Sequence, residues 1–296
     1  MAVNYAEKYS TNVDERFTQA SKTDIAVNKD YDWDGTSAIK VYSMDTSPLN
    51  DYQTTGTNRY GTPDELGNHT QTMLLSQDKS FTFTIDRKSY DDTQMTMEVG
   101  KALARELNEV VIPFIDKYRL SRMVNAVGSS TTGTPTKTTA YEAFLDGQAQ
   151  LDDNSVPEEG RVAYVTNAFY KLLKLDDNFI KASDIAMDMR IKGQLGEVDG
   201  VAILKGTGIL PENVNFIITH PVATTAAQKL EDYNIHQNPP GINGWLCEGR
   251  IRFDAFVRYQ KRKAIYVHAT KGISADKSCE LDENLQATAE NASSKN

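Results

Sequence analysis

A long amphipathic pattern between residues 91 and 127 limits the folds open to this chain more than any other feature. Asp91 and Asp92 can cap the start of a helix, and Gly128 is a natural end. At about 1.5 Å per residue, such a helix is roughly 50 Å long. We predict a spine helix over 91–127 that can support a sheet, with a bend or break at Pro113. Its apolar face carries Val99, Leu103, Leu107, Val110, Val111, Phe114, Ile115 and Tyr118.

A long polar connection precedes this helix. Ile39 and Val41 indicate a short strand, and Phe81, Phe83 and Ile85 alternate with polar residues in the period of a half-buried strand. The two strands predict an extended hairpin around a turn-rich stretch, Ser47 to Thr70. Connections longer than about 15 residues are uncommon in compact domains and usually functional. No core within the same subunit is available to hold this one.

The rest of the chain mixes helices and strands. A flexible link is expected over 129–138, and a helix from Thr139 to Leu151 is expected to begin with a capping box between Thr139 and Glu142. Further helices are expected at Asn167–Leu175 and from Pro221 to about Tyr233. An exposed loop is expected at His236–Gly244, and a basic turn at Tyr259–Lys263. Strands are expected at Val162–Val165, Val201–Leu204, Val214–Thr219, Cys247–Arg258 and Ala264–Ala269.

The two ends of the chain are polar. Residues 1–38 have only a weak apolar pattern and are predicted to be an arm that needs a partner surface. Residues 271–296 are predicted to be a polar C-terminal tail, disordered from about Ile273 onward. The mixture of helices and strands between these ends predicts the fold class α+β, with a polar arm and a polar tail.

Composition excludes several classes of function. The formal net charge is −9 and the isoelectric point is near 5.1, so binding to phosphate backbones is not expected as the main role. The N-terminus lacks the apolar region of a secretory signal, and no apolar stretch approaches the length of a membrane span. Cys247 and Cys279 are too few for a disulfide framework and are predicted to be free thiols.

No motif in the sequence supports catalysis, a cofactor or a metal. The four histidines lie outside metal-binding motifs, and Gly206 and Gly208 form a turn and not a phosphate cradle. The basic cluster Lys261–Lys263 is interpreted as a solvated turn. Neighbouring carboxylates point apart on any regular backbone, as at Asp152–Asp153, Glu158–Glu159 and Asp176–Asp177. We predict no catalytic, cofactor-binding or metal-binding residues, and no enzymatic activity.

Several segments, in their order along the chain, resemble the Hong Kong 97-type capsid proteins of tailed bacteriophages. The segment DDTQMTMEVGKALARELNEVVIPFIDKYRLSRMVNAV, Asp91 to Val127, looks like the family's junction between hairpin and spine in phages of Gram-positive hosts. The likeness covers roughly residues 39–270, and its order is more specific than any single motif. The other similar segments are Val156–Val162, Ile191–Ile203, Asn215–Ala223, Gly249–Val257 and Ala264–Val267.

The resemblance implies a function and a set of domains. The implied function is a major capsid protein whose pentamers and hexamers enclose double-stranded DNA, and the alternative is an encapsulin-like compartment of the same fold. The implied parts are an N-arm over 1–38, an extended loop over 39–90, a peripheral domain over 91–160, an axial domain over 161–245, return strands of the peripheral domain over 246–270 and the tail over 271–296.

The resemblance also implies partners. Only residues 1–38 precede the hairpin, so a separate scaffolding protein is expected during assembly. A portal and decoration proteins are further expected partners, whereas DNA is expected to be near the shell without specific contact. No membrane is expected, and the implied locations are the virion and, during assembly, the host cytoplasm.

A first prediction concerns the acidic stretch at Asp30, Asp32 and Asp34, which matches the opening of a calcium-binding loop. Position twelve of such a loop must supply a bidentate glutamate, but here it is Val41. Calorimetric titration with calcium should therefore show no binding tighter than about 10 µM. Tighter binding that Asp32→Ala abolishes would contradict this prediction.

Overall fold

The elements are defined by a computed structural model, which describes residues 21–31, 38–44, 49–63, 67–87, 98–176 and 194–273, together with Ser47 and Glu65. The helices are α1 (Glu98–Glu106), α2 (Ile112–Asn125), α3 (Ala140–Asp153) and α4 (Asn167–Lys174). The strands are β1 (Ala38–Met44), β2 (Asn68–Leu74), β3 (Gln77–Asp86), β4 (Ser129–Thr132), β5 (Val162–Val165), β6 (Gln194–Val198), β7 (Val201–Lys205), β8 (Val214–Thr219), β9 (Thr224–Gln237), β10 (Gly244–Val257) and β11 (Ile265–Ala269). Described parts of 1–32 and 76–280 form one unit, and those of 33–75 form another.

The predicted spine helix is present from Glu98 to Asn125, and residues 91–97 lie outside the described part. It consists of α1 and α2, joined by a π-helical turn at Leu107–Val111. This turn lies just before Pro113, whose ring would clash with a carbonyl one turn earlier and which has no N–H to donate. In the π turn, the N–H of Ile112 bonds to the carbonyl of Leu107, five residues back. The wider turn accommodates the proline, so the helix continues past it.

The extended hairpin differs from the prediction in its second strand. β1 pairs antiparallel with β2, from Ala38 opposite Leu74 to Met44 opposite Asn68. The predicted partner, the strand of Phe81 and Ile85, is β3, which pairs instead with β10. The alternation in β3 correctly predicts a strand. Asn68–Leu74 lacks a comparable apolar alternation, so the sequence does not predict the strand that pairs with β1.

Three long strands form the first sheet of the larger unit, in the order β3–β10–β9. One face of this sheet packs on the first part of the spine helix, where Leu103, Leu107 and Ile115 meet Ile251 and Phe253. Gly249 is required on this face, because an added Cβ would lie 2.4 Å from the Phe81 ring and 3.0 Å from the Tyr233 ring. The two aromatic rings therefore pack over the glycine.

The prediction of a helix after Pro221 is wrong. Only one short 3-10 turn forms, at Pro221–Ala223, and the chain then continues as β9. The spacing of Ala226, Leu230 and Tyr233 matched a helix, but β9 pairs with β10 along its whole length, with a register shift at Arg252 and Phe253. This backbone ladder outweighs a local preference carried mainly by alanine and leucine.

Six strands form the second sheet, in the order β4–β11–β8–β5–β7–β6. Both faces are covered, which explains the nearly continuous apolar sequences of β5, β8 and β11. Phe144 of α3 and Phe169 of α4 pack on one face around Phe216. Leu120 and Met123 of the spine helix belong to the core on the other face.

Two local features differ from the predictions. The link 129–138 contains an edge strand, β4, which pairs in parallel with β11. The helix after Thr139 is present without its capping box, because Thr139 has a helical backbone conformation and its hydroxyl accepts the N–H of Thr136 at 3.0 Å. The remaining predicted strands, and the helix that begins at Asn167, are confirmed.

Leu103 and Leu107 should both be essential to the stability of this unit, since each is 2% exposed on the spine helix. Truncation of either to alanine should lower the free energy of unfolding by about 2–5 kcal/mol, through lost transfer energy and a cavity. Val110→Ala is the matched control, because Val110 is 53% exposed on the same helix. Urea unfolding of the three variants checks the difference, and equal losses in all three would contradict it.

Candidate functional site

The histidines whose side chains the structure describes are His220, His236 and His268. His220 caps the 3-10 turn that follows it: its Nδ1 accepts the N–H of Val222 at 3.1 Å, and its Nε2 lies 3.1 Å from the carbonyl of Glu159. His236 is exposed and lies 3.4 Å from Glu248. His69 is on β2, in the other unit. The contacts of His220 and His236 are thus with a backbone N–H, a backbone carbonyl and a carboxylate.

His268 is buried in the six-stranded sheet. Its ring stacks on Phe216, with centroids 5.1 Å apart and an interplanar angle of 4°. Its Nδ1 lies 3.0 Å from the side-chain nitrogen of Asn215, which donates to it. Burial lowers the pKa of His268 and favours the neutral ring. The ring is therefore an uncharged part of the core near neutral pH.

The remaining residues considered for chemistry are also engaged elsewhere. Cys247 is free and buried, and burial raises the pKa of its thiol to about 11, which disfavours the nucleophilic thiolate. Asp152 forms an ion pair with Arg161 at 2.7 Å, while Asp176 is buried beside the N–H of Tyr141. Arg262 of the basic turn stacks on Tyr259. Cys279, Asp177, Asp32 and Asp34 lie outside the described residues.

Ligand-binding features are sparse in the part of the chain that the structure describes. Within it, no group of three or more His, Cys, Asp or Glu side chains could hold a metal ion. An open cavity of about 370 Å³ lies on the three-stranded sheet, lined mainly by polar side chains such as Thr82, Asn234 and Arg250. Among the helices of the described ranges, none is both long and apolar enough to span a bilayer.

The described part of the connection between β1 and β2 exposes apolar side chains. Leu49 is fully exposed, Tyr60 is 84% exposed and Tyr52 is 55% exposed. The two tyrosine rings meet edge to face at 5.1 Å, and the N–H of Gln53 donates to the carbonyl of Arg59 at 2.9 Å. The loop thus has a local turn structure that presents large apolar groups to solvent.

Two polar clusters were not predicted. The carboxylate of Asp254, which is 1% exposed, accepts bonds from the backbone N–H and hydroxyl of Ser76 and from the hydroxyl of Tyr118, at 2.7–2.9 Å. It connects β10 to the start of β3 and to the spine helix. The second cluster surrounds Asp116 and Arg119. In both clusters, the sequence offers the same signal for a buried polar contact: a charged residue lies within an apolar run of a strand or on the apolar face of a helix.

Comparison with known proteins identifies the fold. A solved structure from Mycobacterium phage Che8 aligns with a TM-score of 0.67 at 17% identity, over 84% of this chain and 91% of that chain. The asymmetric unit of the mature capsid of bacteriophage PhiM1 aligns with a TM-score of 0.64 at 10% identity, over 84% and 86%. A virus-like particle from Pyrococcus furiosus aligns with a TM-score of 0.54 at 11% identity, over 90% and 100%.

No protein-family model and no curated protein sequence matches the chain. The structural similarities extend over most of the chain and show that it has the Hong Kong 97-type fold of tailed-phage capsid proteins. The fold predicted from the sequence is therefore confirmed. The likeness to proteins from phages of Gram-positive hosts stays a prediction.

The burial of His268 predicts a specific pH dependence of stability. Its pKa is lowered in the folded state, whereas the unfolded chain has a pKa of about 6.5. Its contribution should be fully present above about pH 6.5 and should be lost as the pH falls below that value, because the unfolded state then binds the proton more strongly. His268→Phe, which keeps an aromatic ring on Phe216, should remove this part of the pH dependence.

Urea unfolding at pH 7.5 and 5.5 checks the prediction, with His236→Gln as the control at an exposed histidine. Wild type and His236→Gln should lose more stability between these pH values than His268→Phe. Equal losses in all three proteins would contradict it.

Proposed function

We propose that this chain is the major capsid protein of a tailed bacteriophage, whose pentamers and hexamers close into an icosahedral shell around double-stranded DNA. The observation that carries the proposal is the exposed loop between β1 and β2 on a subunit with the Hong Kong 97-type fold. Leu49, Tyr52 and Tyr60 present large apolar surfaces. Groups of this kind, placed on a loop, are typical anchors of protein interfaces.

A structural role fits the remaining chemistry better than catalysis does. His220, His268 and Cys247 have structural positions, and the residues that line the open cavity include neither a histidine nor a cysteine. The net charge of −9 suits a shell wall that does not adhere to packaged DNA. An encapsulin-like compartment is the alternative and is not favoured. The TM-score to the virus-like particle from Pyrococcus furiosus is 0.54, against 0.67 for the structure from Mycobacterium phage Che8.

The proposal includes domains and partners. The N-arm is placed at 1–38, the extended loop at 39–90, the peripheral domain at 91–160 and 246–270, the axial domain at 161–245 and the tail at 271–296. A separate scaffolding protein would guide assembly in the host cytoplasm. A portal, and decoration proteins where present, would bind the finished shell in the virion.

Electron microscopy and sedimentation of the purified protein test the assembly itself. Closed shells are expected over some range of salt and scaffold concentration. A stable, monodisperse monomer under all such conditions would contradict the proposal.

Loop variants test which surface drives assembly. Two variants are compared, the double variant Tyr52→Ser, Tyr60→Ser and a deletion of 56–67. Each should leave the unfolding midpoint of the subunit nearly unchanged, because both tyrosines are exposed. Both should sharply reduce the yield of shells in sucrose gradients, because the interface loses its aromatic anchors. Asp51→Ser, a change at an exposed polar residue of the same loop, should assemble like wild type.

Normal shell yield from both loop variants would show that this loop is not the main contact between subunits. Unfolding of the subunit by either variant would show that the loop belongs to the subunit core instead.

A further inference from the structure

Residues 21–28, here called the strap, lie against the larger unit. Thr23 and Ala26 are fully buried, and Val27 is 7% exposed. The sequence predicted that the N-terminal arm needs a partner surface. For the strap, that surface is supplied by the same chain, through contacts with the spine helix, β5 and β9.

Asp116 of the spine helix is the main polar anchor of the strap. It is 2% exposed, and its carboxylate accepts three hydrogen bonds from consecutive strap residues. The hydroxyl of Ser21 donates at 2.7 Å, the backbone N–H of Lys22 at 3.1 Å and the hydroxyl of Thr23 at 2.6 Å. A buried carboxylate with this many donors is stabilised only while the strap is in place.

Two further side chains complete the attachment. Arg119, one helical turn after Asp116, is 3% exposed and lies 2.7 Å from the carboxylate of Asp24 and 3.1 Å from the hydroxyl of Thr23. The hydroxyl of Tyr164, on β5, donates to the carbonyl of Lys22 at 2.7 Å. The peptide bond between Lys22 and Thr23 is thus held close to a rigid strand.

The downstream end of the strap is attached by backbone pairing. The N–H of Asn28 donates to the carbonyl of Thr224 at 2.9 Å, and its carbonyl accepts the N–H of Ala226 at 2.9 Å. Its side-chain amide also donates to the carbonyl of Pro221 at 3.0 Å. The strap is therefore held at two points, which belong to the spine helix and to the edge of β9.

The strap is suited to detach as a unit. Apart from Ala26 and Val27, its contacts are hydrogen bonds and one ion pair, which water can replace when it lifts away. Ala26 and Val27 are the two strap residues in the apolar core that also contains Leu120, Met123 and Ile217, so most of this core comes from the rest of the unit. Segments with few buried apolar contacts open at a lower free energy than the core around them.

We propose that Asp116, Arg119 and Tyr164 form a latch that holds the strap on its own subunit and fixes where the N-terminal segment leaves it for assembly. The latch rests on the geometry of the subunit, whereas its role in assembly rests on the proposed function. Weakening the latch should release the strap while the sheets and the spine helix stay folded.

Two variants weaken the latch from opposite sides. Asp116→Asn removes the charge beneath the strap, and the double variant Ser21→Ala, Thr23→Val removes two donors from the strap. The control is Glu109→Gln, an acid on the same helix whose ion pair with Arg105 is exposed. Hydrogen exchange is measured by mass spectrometry over 22–28 and, as an internal reference, over β5. Trypsin cleavage after Lys22 reports release independently, because this bond is held by Asp116 and Tyr164.

Both latch variants should exchange about tenfold or more faster than wild type over 22–28, with β5 unchanged and cleavage after Lys22 accelerated. Shell yield should fall in parallel, and Glu109→Gln should match wild type in every measurement. Unchanged exchange over 22–28 in both variants, or an equal rise over 22–28 and β5, would overturn the latch. A released strap with normal shell yield would overturn its role in assembly. Failure of wild type to form shells would count against the proposed function alone, since exchange and cleavage are measured on the subunit.

Discussion

The spine helix packs against two sheets, and this packing determines how the sheets of the larger unit are placed relative to each other. Leu103 and Leu107 of the spine helix contribute to the core beneath the three-stranded sheet, whereas Leu120 and Met123 contribute to the core beneath the six-stranded sheet. An α-helix is stiff over this length, so side chains at its two ends fix the relative placement of both sheets. The π turn before Pro113 is compatible with this role, because it keeps the helix continuous where a proline would otherwise interrupt it.

Polar anchors lie between the two apolar regions of the helix. Asp116 and Arg119 hold the strap, and Tyr118 donates to Asp254 on β10. Buried charged groups of this kind add little net stability, because their desolvation offsets much of the attraction. Their hydrogen bonds are directional, so a shifted strand or strap would leave a buried carboxylate unsatisfied. The anchors therefore select one arrangement of parts that apolar packing alone would specify less sharply.

The sequence predicts elements well where a single period dominates. The spine helix and β3 have such a period, whereas β5 and β8 are short buried apolar runs. The sequence correctly predicts these four elements and β10. The prediction of β9 failed because its sequence allows a helix, and only the partner strand β10 decides between the two. β2 and β4 are polar edge strands, whose existence depends on backbone pairing with distant residues and leaves little trace in local composition.

The site was predictable only in outline. The length and composition of the loop indicated a contact outside the subunit, but the exposure of Tyr52 and Tyr60 depends on the local turn that the loop forms. The strap could not be predicted, because its attachment joins Ser21 and Thr23 to Asp116, more than ninety residues away. No spacing rule connects residues so distant in sequence.

The free energy available from burying the loop side chains explains why a contact between only two subunits of this kind would be weak. Full burial of a large apolar side chain contributes about 1.5–3 kcal/mol, so Leu49, Tyr52 and Tyr60 together offer roughly 5–9 kcal/mol. Association of two proteins costs about 4–15 kcal/mol in lost translational and rotational freedom. One such contact is therefore marginal. In the closed shell proposed above, each subunit would both give its loop to a neighbour and receive one, and each added contact would no longer carry the full entropic cost. Assembly of such a subunit is expected to be cooperative: little association at low concentration, and complete shells once a nucleus has formed.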